Sequence, residues 1–384
     1  MGRGREGDGA PAVSESPVRV LEVRADSGIE WGADPAGWRM NDLEFLALLV
    51  HRGLVPRERG QELSRELRGG GELDELLARE LGWAEAQIQK LRRTRAGEIP
   101  ELPGYEVLAK VGTGGTADVF KARELASQRV LALKVLKPEA TRHEPTRKSF
   151  IAEARLLERL DHASLVRCFG VARSGSVYFS RLEFIDGNTV LELLDAQQRI
   201  AEQQALRIVL AAAEALRYLG QKGVVHRDVK PGNLMLTRDG RVVLIDLGFA
   251  AAGDARAGEE SAVGTVAYLS PEQARGGAAA DIRSDIYSLG ISLFHIVVGR
   301  LPSQGSDDRE VLRKQVMESF SSSELKGRGI SAHVHYFIEK MVAKEAEARY
   351  QSWEELIEDV QGQLAGRDDL DFERHARPRK GRPR

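Results

Sequence analysis

The sequence is poor in cysteine and has no long apolar run. Among its 384 residues the only cysteine is Cys168, which excludes an intramolecular disulfide and a cysteine-based zinc site and favours a reducing compartment. The longest apolar stretches, residues 45–50 and 291–298, are much shorter than the roughly 18 residues that a membrane helix needs. The first residues include basic ones but no apolar segment follows them, so we expect no secretory signal. We therefore expect a soluble, cytoplasmic protein without a membrane span.

The sequence also lacks an excess of either charge. Lys and Arg number 56 against 58 for Asp and Glu, and the formal net charge of −2 disfavours a protein that mainly coats nucleic acid or an anionic membrane. With 42% hydrophobic and 30% charged residues the chain can bury a sizeable core, which excludes disorder throughout. The length predicts one large or two modest domains.

Composition divides the chain into four parts. Residues 1–40 are rich in Gly, Ala, Pro and Ser and are predicted to be mostly disordered. Residues 41–98 have helical spacing, interrupted at Pro56 and at a run of glycines, and predict a small module of three or four helices with a marginal core. Residues 105–362 are first β-rich and then helical, which indicates an α+β protein with two lobes. Residues 367–384 form a basic tail.

A glycine-rich stretch, residues 111–119, joins the first two predicted strands of the β-rich part. Glycines allow a tight loop to bring backbone N–H groups close to phosphate oxygens, although glycine-rich hairpins are common and no Walker A lysine follows. Lys134 lies in the next apolar strand, where a buried ammonium is costly unless it is paired. Lys134 is either an edge-strand lysine that reaches solvent or a phosphate contact held by a carboxylate such as Glu153.

Two later stretches are more specific. Residues 226–233, His-Arg-Asp-Val-Lys-Pro-Gly-Asn, place a base, a cation and a metal-capable amide within one short loop. Asp246 ends an apolar strand and precedes Leu-Gly, where the chain can turn sharply. Carboxylate and amide oxygens suit Mg²⁺, which binds few protein ligands and completes its shell with water and substrate phosphates. Each stretch alone could be a turn, but their order along the chain disfavours a purely structural interpretation.

These stretches resemble the motifs of the eukaryotic-like (Hanks-type) serine/threonine protein kinases, especially the bacterial branch. The resemblance covers about residues 105–362 and rests on the glycine-rich loop, Ala132-x-Lys134, Phe150-x-x-Glu153, HRDVKPGN, DLG, and Ser270-Pro-Glu272. Residues 284–290 resemble the buried anchoring helix of the family, and Arg349 resembles the late arginine that pairs with Glu272. The implied fold is the bilobal protein-kinase fold, with a β-rich N-lobe and a helical C-lobe, preceded here by the small helical module.

The resemblance implies catalytic roles for four residues. Asp228 would orient the substrate hydroxyl and accept its proton, and Lys230 would contact the transferring phosphate. Lys134, held by Glu153, would contact the α and β phosphates of ATP. His226 is expected to pack and to hydrogen-bond within the loop rather than to act as a base, and Cys168 is expected in the core.

The resemblance also implies a cofactor set of ATP and Mg²⁺, with Mn²⁺ as an alternative. Asn233 and Asp246 would coordinate the metal ion. The residues that would contact ATP lie in the glycine-rich loop, on the strand above the adenine, or at the hinge: Val111, Gly112, Thr113, Gly114, Gly115, Thr116, Ala117, Asp118, Val119, Ala132, Lys134, Glu183 and Ile185. The sequence departs from the family pattern at Ala117, at Leu247 in the metal triplet and at Arg181 beside the hinge, which leaves the packing around Arg181 open.

The implied function is transfer of the γ-phosphate of ATP to Ser and Thr hydroxyls of proteins, including autophosphorylation, in signal transduction. Lys230 and Thr265 beside Asp228 are typical of Ser/Thr specificity. Two alternatives remain, a pseudokinase scaffold that binds partners without phosphoryl transfer and a kinase with a small-molecule acceptor. The complete set of catalytic and metal-binding residues favours the protein kinase.

Regulation is expected at the activation loop and outside the kinase part. Arg227 implies a loop ordered by an anion, which Glu259 or Glu260 could partly supply before Ser261 or another site is phosphorylated; the alternative is a solvated acidic loop. Residues 41–98 are expected to bind a partner or regulator, a substrate or the kinase lobe itself. The tail is either a solvated end or a contact for RNA or acidic proteins, and nucleic acid is not an expected partner of the chain.

Overall fold

The computed structural model describes residues 21–22, 41–95, 99–247, 266–275, 280–303, 305, 307–317 and 329–366. The predictions for Glu259, Glu260, Ser261 and Thr265, and for the basic tail 367–384, lie outside these residues. Of the segment predicted to be disordered, the structure describes strand β1 (Leu21–Glu22). The prediction over 1–40 did not include this strand, because two residues carry too short a pattern to reveal pairing with a distant strand.

The helical module consists of four helices, α1 (Asp42–His51), α2 (Arg57–Arg68), α3 (Leu73–Leu81) and α4 (Glu85–Arg93). A reciprocal capping box between Asn41 and Glu44 starts α1, and Pro56 stands directly before α2 as predicted. The module has its own hydrophobic core, which consists of Phe45, Leu46, Leu49, Val55, Leu63, Leu73, Leu76, Leu77 and Ile88.

Close packing and one arginine hold the four helices together. A Cβ added to Gly60 on α2 would lie 2.3 Å from Val50 Cγ2, so glycine lets α2 approach α1. Arg92 on α4 forms ion pairs with Asp42 of α1 and Asp74 of α3, at 2.7 and 2.5 Å, and lies over the Phe45 ring. This guanidinium therefore connects three of the helices.

The N-lobe is built on one twisted sheet with the order β1-β5-β6-β4-β3-β2. Its strands after β1 are β2 (Tyr105–Thr113), β3 (Ala117–Glu124), β4 (Val130–Leu136), β5 (Cys168–Ser174) and β6 (Val177–Glu183), all antiparallel to their neighbours, whereas β1 joins β5 in parallel. Helices α5 (Pro138–Arg142) and α6 (Glu144–Glu158) follow β4. The module thus lies in the chain between the two strands at opposite edges of this sheet.

Apolar side chains cover both faces of the sheet. One face packs Leu102 of the linker against Phe120 and Phe179, and the Tyr105 ring meets Phe179 edge-on at 5.6 Å between centroids. The other face packs against α6 through Phe150. The hydrophobic core formed there continues into the C-lobe. Cys168 is buried in it, and burial raises the pKa of its thiol to about 11, which fits the predicted core role.

The C-lobe is mainly helical. Its elements in chain order are β7 (Gly187–Thr189), α7 (Val190–Gln197), α8 (Glu202–Gln221), β8 (Leu234–Thr237), β9 (Val242–Leu244), α9 (Pro271–Ala274), α10 (Ile282–Val298), α11 (Asp308–Met317), α12 (Ala332–Met341) and α13 (Trp353–Leu364). Helix α10 is buried along nearly its whole length, as the resemblance of residues 284–290 to the anchoring helix of the family predicts. Within the described parts of the chain, no helix has both the length and the apolar character needed to cross a membrane.

Candidate active site

Lys134 connects three separate elements at the junction of the lobes. It lies on β4, between β3 and β6, so the alternative of an edge-strand lysine is wrong. Its Nζ is 2.9 Å from Glu153 Oε1 on α6 and 3.0 Å from Asp246 Oδ2 just after β9. Burial disfavours the ammonium, but the charges of Asp246 and Glu153 outweigh it and raise the pKa of Lys134. The lysine is therefore charged and fixed by both carboxylates.

The two carboxylates lie close enough to influence each other. Burial and the negative charge of Asp246 raise the pKa of Glu153, although Lys134 acts in the opposite direction. A cation bound at Asp246 would relieve this repulsion.

The loop that carries Asp228 is held by a buried carboxylate of α10. Asp285 accepts hydrogen bonds from the backbone N–H groups of His226 and Arg227, at 2.8 and 2.7 Å. Arg227 has a φ of 68°, a conformation that non-glycine residues rarely adopt, and these bonds stabilise it. His226 is fully buried; its Nε2 donates to the Asp246 carbonyl at 2.5 Å and its Nδ1 accepts from the Asp228 amide at 3.2 Å. Both ring nitrogens are thus occupied by backbone groups.

Asp228, Lys230 and Asn233 form one polar cluster. Lys230 Nζ lies 2.9 Å from Asp228 Oδ2. The side-chain amide of Asn233 donates to the Asp228 carbonyl at 2.8 Å and to Asp228 Oδ2 at 3.0 Å. These bonds orient the Asp228 carboxylate between a cation and an amide donor.

The same bonds leave Asn233 with an oxygen suited to a metal ion. Because its nitrogen faces Asp228, the Oδ1 atom remains as an acceptor. Asp246 is the other predicted ligand, and the part of the chain that the structure describes contains no cluster of three or more His, Cys, Asp or Glu side chains for a metal. One carboxylate and one amide oxygen fit Mg²⁺, which can complete its shell with water and phosphate oxygens, and do not fit a structural zinc ion.

The glycine-rich loop closes the β2–β3 hairpin. The Gly114 N–H donates to the Ala117 carbonyl at 2.8 Å, so Gly115 and Thr116 form the exposed tip. Asp118 pairs with Lys110 at 3.0 Å, and Val111 is one of the few exposed large apolar residues described. The other predicted loop residues, Gly112, Thr113 and Val119, lie in the paired strands β2 and β3.

Glu183 and Ile185 lie where the chain passes from β6 to the C-lobe. The Glu183 N–H donates to the Arg167 carbonyl at 2.8 Å, and its carboxylate pairs with Arg241 at 2.5 Å. Among the described residues, none accepts a hydrogen bond from the Ile185 N–H. The packing around Arg181, which the sequence left open, includes a hydrogen bond from its guanidinium to the Phe169 carbonyl.

A buried ion pair in the C-lobe joins Arg349 to Glu272. Arg349 is fully buried and makes two hydrogen bonds to Glu272, at 2.8 and 2.9 Å, as the resemblance predicts. The remaining guanidinium hydrogens donate to the carbonyls of Ala343, Arg283 and Lys344. Burial opposes ionisation of Glu272, but the hydrogen bonds from Arg349 and Ser284 outweigh it and hold its pKa at about 2.

Comparison with known proteins decides the family. A family model described as the protein kinase domain matches residues 105–360, about two thirds of the chain. The chain belongs to this family. The predicted bilobal kinase fold with helices before it is therefore confirmed, and membership implies ATP and a divalent metal as cofactors.

Relatives of this chain include serine/threonine-protein kinases of bacteria. Serine/threonine-protein kinase PrkC of Bacillus subtilis is 31% identical over 258 residues, which cover 67% of this chain and 40% of that protein. Serine/threonine-protein kinase PknB is 34% identical over 263 residues in Mycobacterium leprae and 32% over 264 in Mycobacterium tuberculosis, with 67% of this chain and 42% of those proteins covered. The chain thus spans about two fifths of the length of these curated relatives.

Three contacts of the kinase site were missed by sequence reasoning. Asp285, Lys137 and Arg241 each hold a part of the site, but only Asp285 carries a sequence signal. It is a carboxylate within a helix predicted to be buried, where a charge requires a partner.

Proposed function

We propose that the chain is an active protein serine/threonine kinase that transfers the γ-phosphate of ATP to Ser and Thr hydroxyls of proteins, itself included, in signal transduction. The observation that carries the proposal is the Lys134 ammonium, bonded to both Glu153 and Asp246. This contact assembles β4, α6 and the segment after β9 into one charged site. Phosphoryl transfer needs positioning and charge neutralisation more than covalent chemistry, and these residues supply both.

Asp228 and Lys230 would act at the reacting hydroxyl. Asp228 Oδ2 accepts from Lys230 and Asn233, which fixes the direction of the carboxylate that would orient the hydroxyl and accept its proton. Lys230 would in turn contact the transferring phosphate. Asn233 Oδ1 and the Asp246 carboxylate would hold Mg²⁺, with Mn²⁺ as an alternative. When bound, the metal ion would neutralise charge on the phosphate oxygens.

ATP would lie between the glycine-rich loop and the segment after β6. The N–H groups of the loop would face the phosphates, and Val119 and Ala132 would enclose the adenine. The Glu183 carbonyl and the Ile185 N–H would bond its edge. This assignment is supported by the Ile185 N–H, which has no partner among the described residues, because buried backbone donors in proteins are almost always paired.

The proposed regulation involves the activation loop and the helical module. Arg227 would pair with an anion of the activation loop, supplied in part by Glu259 or Glu260 and increased by phosphorylation of Ser261, while Thr265 would shape the acceptor site. The module of residues 41–98 would bind a partner or regulator. The single buried cysteine supports a reducing, cytoplasmic compartment.

The deciding experiment is incubation of the purified full chain with labelled ATP and Mg²⁺, followed by mapping of phosphorylated residues on the chain and on generic acceptors. We expect phosphoserine and phosphothreonine, and we expect Asp228→Asn to abolish incorporation while remaining folded. Incorporation no higher than that of Asp228→Asn would favour the pseudokinase scaffold. Predominant phosphotyrosine would overturn the Ser/Thr assignment.

A further inference from the structure

Lys137, directly after β4, makes two hydrogen bonds to the tip of the glycine-rich loop. Its backbone N–H donates to the Thr116 carbonyl at 2.9 Å, and its Nζ donates to the Gly114 carbonyl at 2.5 Å. The Gly114 carbonyl precedes the tip formed by Gly115 and Thr116, and the Thr116 carbonyl ends it. Side chain and main chain of Lys137 therefore hold both ends of the tip.

These bonds determine where the following N–H groups point. The peptide group is planar and trans, so a carbonyl and the N–H of the next residue point in opposite directions. With the carbonyls of Gly114 and Thr116 directed at Lys137, the N–H groups of Gly115 and Ala117 are directed away from it. A loop that binds phosphates does so through such N–H groups, and their orientation decides whether they can donate.

Little else among the described residues restrains this tip. A Cβ added to Gly115 would meet no atom within 4 Å, and the Gly114 to Ala117 hydrogen bond is the one bond that crosses the turn itself in the described chain. Without the Lys137 side chain, the peptide after Gly114 would be free to rotate, since glycine adopts several conformations at similar energy.

A carboxylate keeps the Lys137 ammonium beside the loop. Asp118 Oδ1 is buried, has no hydrogen-bond partner within the described residues, and lies 3.8 Å from Lys137 Nζ. Asp118 Oδ2 pairs instead with Lys110 at 3.0 Å. Both Lys110 and Lys137 therefore lie beside the Asp118 carboxylate. Within the described chain, however, Lys110 donates to no carbonyl of the loop.

We propose that Lys137 is a positioning residue for ATP, which fixes the peptide orientation of the glycine-rich loop and acts through the loop rather than on the reacting atoms. The inference rests on the proposed function, because it takes the loop to cover the phosphates. Loop contacts to the nucleotide exist before and during transfer. Their loss should therefore raise the KM for ATP with little change in kcat.

The test compares Lys137→Met, Lys137→Arg and the matched control Lys110→Met in the full chain. We expect Lys137→Met to raise both the Kd for a fluorescent ATP analogue and the KM for ATP about fivefold to tenfold, the loss of about one charge-assisted hydrogen bond. The kcat of Lys137→Met should stay within about twofold of wild type. Lys137→Arg should recover much of the affinity, and Lys110→Met should change it less than about twofold.

Several results would overturn the proposal. They are an unchanged Kd in Lys137→Met, an equal effect of Lys110→Met, no recovery by arginine, or a fall in kcat at unchanged KM. Thermal unfolding of each variant checks the fold, and Lys137→Arg keeps the test decisive if Lys137→Met unfolds. If the wild type binds the analogue but transfers no phosphate, the proposed function fails, whereas the Kd ratios still decide the role of Lys137.

Discussion

The Asp285 carboxylate holds Arg227 in a left-handed backbone conformation. The Arg227 N–H donates to Asp285 Oδ1 at 2.7 Å, the adjacent His226 N–H donates to Oδ2, and the φ of Arg227 is 68°. Asp285 is buried on α10, and burial raises its pKa even though both N–H groups favour the charged form. The anchoring helix of the C-lobe thus sets the backbone that precedes Asp228.

Asp285→Asn should lower both stability and turnover. An asparagine has one acceptor oxygen, so its amide nitrogen would face one of the two backbone N–H groups. We expect a loss of about 1–3 kcal/mol in the free energy of unfolding, since a buried donor is left unpaired. The kcat should fall because the Arg227 and Asp228 backbone relaxes. Urea unfolding and steady-state kinetics measure the two effects.

The control for this variant is Asp281→Asn on the same helix. Asp281 caps the start of α10 by accepting from the Arg283 N–H, and asparagine caps helices about as well as aspartate. Its kcat should equal that of the wild type. A normal kcat in Asp285→Asn would mean that the Arg227 conformation does not depend on the carboxylate.

Lys134→Met should reduce turnover and also destabilise the site. Removing the ammonium leaves the negative charges of the Glu153 and Asp246 carboxylates close together in the protein interior without a cation between them. We expect kcat to fall at least about 100-fold, because charge stabilisation at the phosphates is lost. ATP should still bind through the adenine contacts. The free energy of unfolding should fall by roughly 1–3 kcal/mol.

Adding Glu153→Gln to Lys134→Met should recover most of the lost stability but none of the activity. The second change removes one of the two repelling charges, and a double-mutant cycle in urea isolates the coupling. If Glu153→Gln lowered the stability of Lys134→Met as much as that of the wild type, the three groups would not be coupled.

The Glu272–Arg349 ion pair should make stability depend on pH in the acid range. The pKa of Glu272 is about 2 in the folded chain against 4.5 ordinarily, so the unfolded state binds more protons as the pH falls below about 4.5. Its contribution, about 3 kcal/mol, is therefore complete above pH ~4.5 and lost as the pH falls towards ~2.

Unfolding of the wild type and Glu272→Gln across this pH range measures the effect. The difference in free energy should be largest near neutral pH and should vanish towards the acid end. Glu347→Gln serves as the control, because Glu347 is largely exposed and pairs with Arg283 at 3.4 Å. A difference between wild type and Glu272→Gln that did not change with pH would contradict the assignment.

Arg92→Met should loosen the helical module without affecting the kinase site. The change removes the ion pairs to Asp42 and Asp74 and the contact with Phe45, which should cost about 1–3 kcal/mol. Arg57→Met is the matched control, since Arg57 is exposed at the start of α2. Hydrogen exchange of residues 41–95 should rise in the first variant only. Equal exchange in both would show that Arg92 does not connect the helices.

Much of the kinase fold could be predicted because local patterns and tertiary structure agree. The apolar strand predicted around Lys134 is β4 (Val130–Leu136), and the buried helix predicted at 284–290 lies within α10. The apolar pattern predicts the strand, and the family resemblance predicts the buried helix. Strand β1 could not be predicted in the same way, because only the distant β5 gives its two residues a partner.

The residues of the site also fall into two groups, those with a signal in the local sequence and those whose role depends on contacts made only in the folded chain. Lys134 and Asp246 could be predicted because each places a charge in or at the end of an apolar strand, and the family resemblance then added Glu153. Lys137 could not, since a lysine after a strand is ordinary until the loop carbonyls of Gly114 and Thr116 are seen beside it. Glu183 and Arg241 are likewise a pair that only the folded chain brings together, because 58 residues of sequence separate them.

The position of the module between β1 and β2 has a consequence for any shortened form of the protein. A chain cut at residues 99–104 would retain the kinase match at 105–360 but would lose β1 together with the module. The backbone groups of Ala172 and Arg173, which β1 now covers, would be left at an open sheet edge. Open edges recruit strands from other molecules, so such a fragment should self-associate more readily than the full chain. Self-association measured on the isolated kinase domain would then be a result of the truncation and not a property of the full chain.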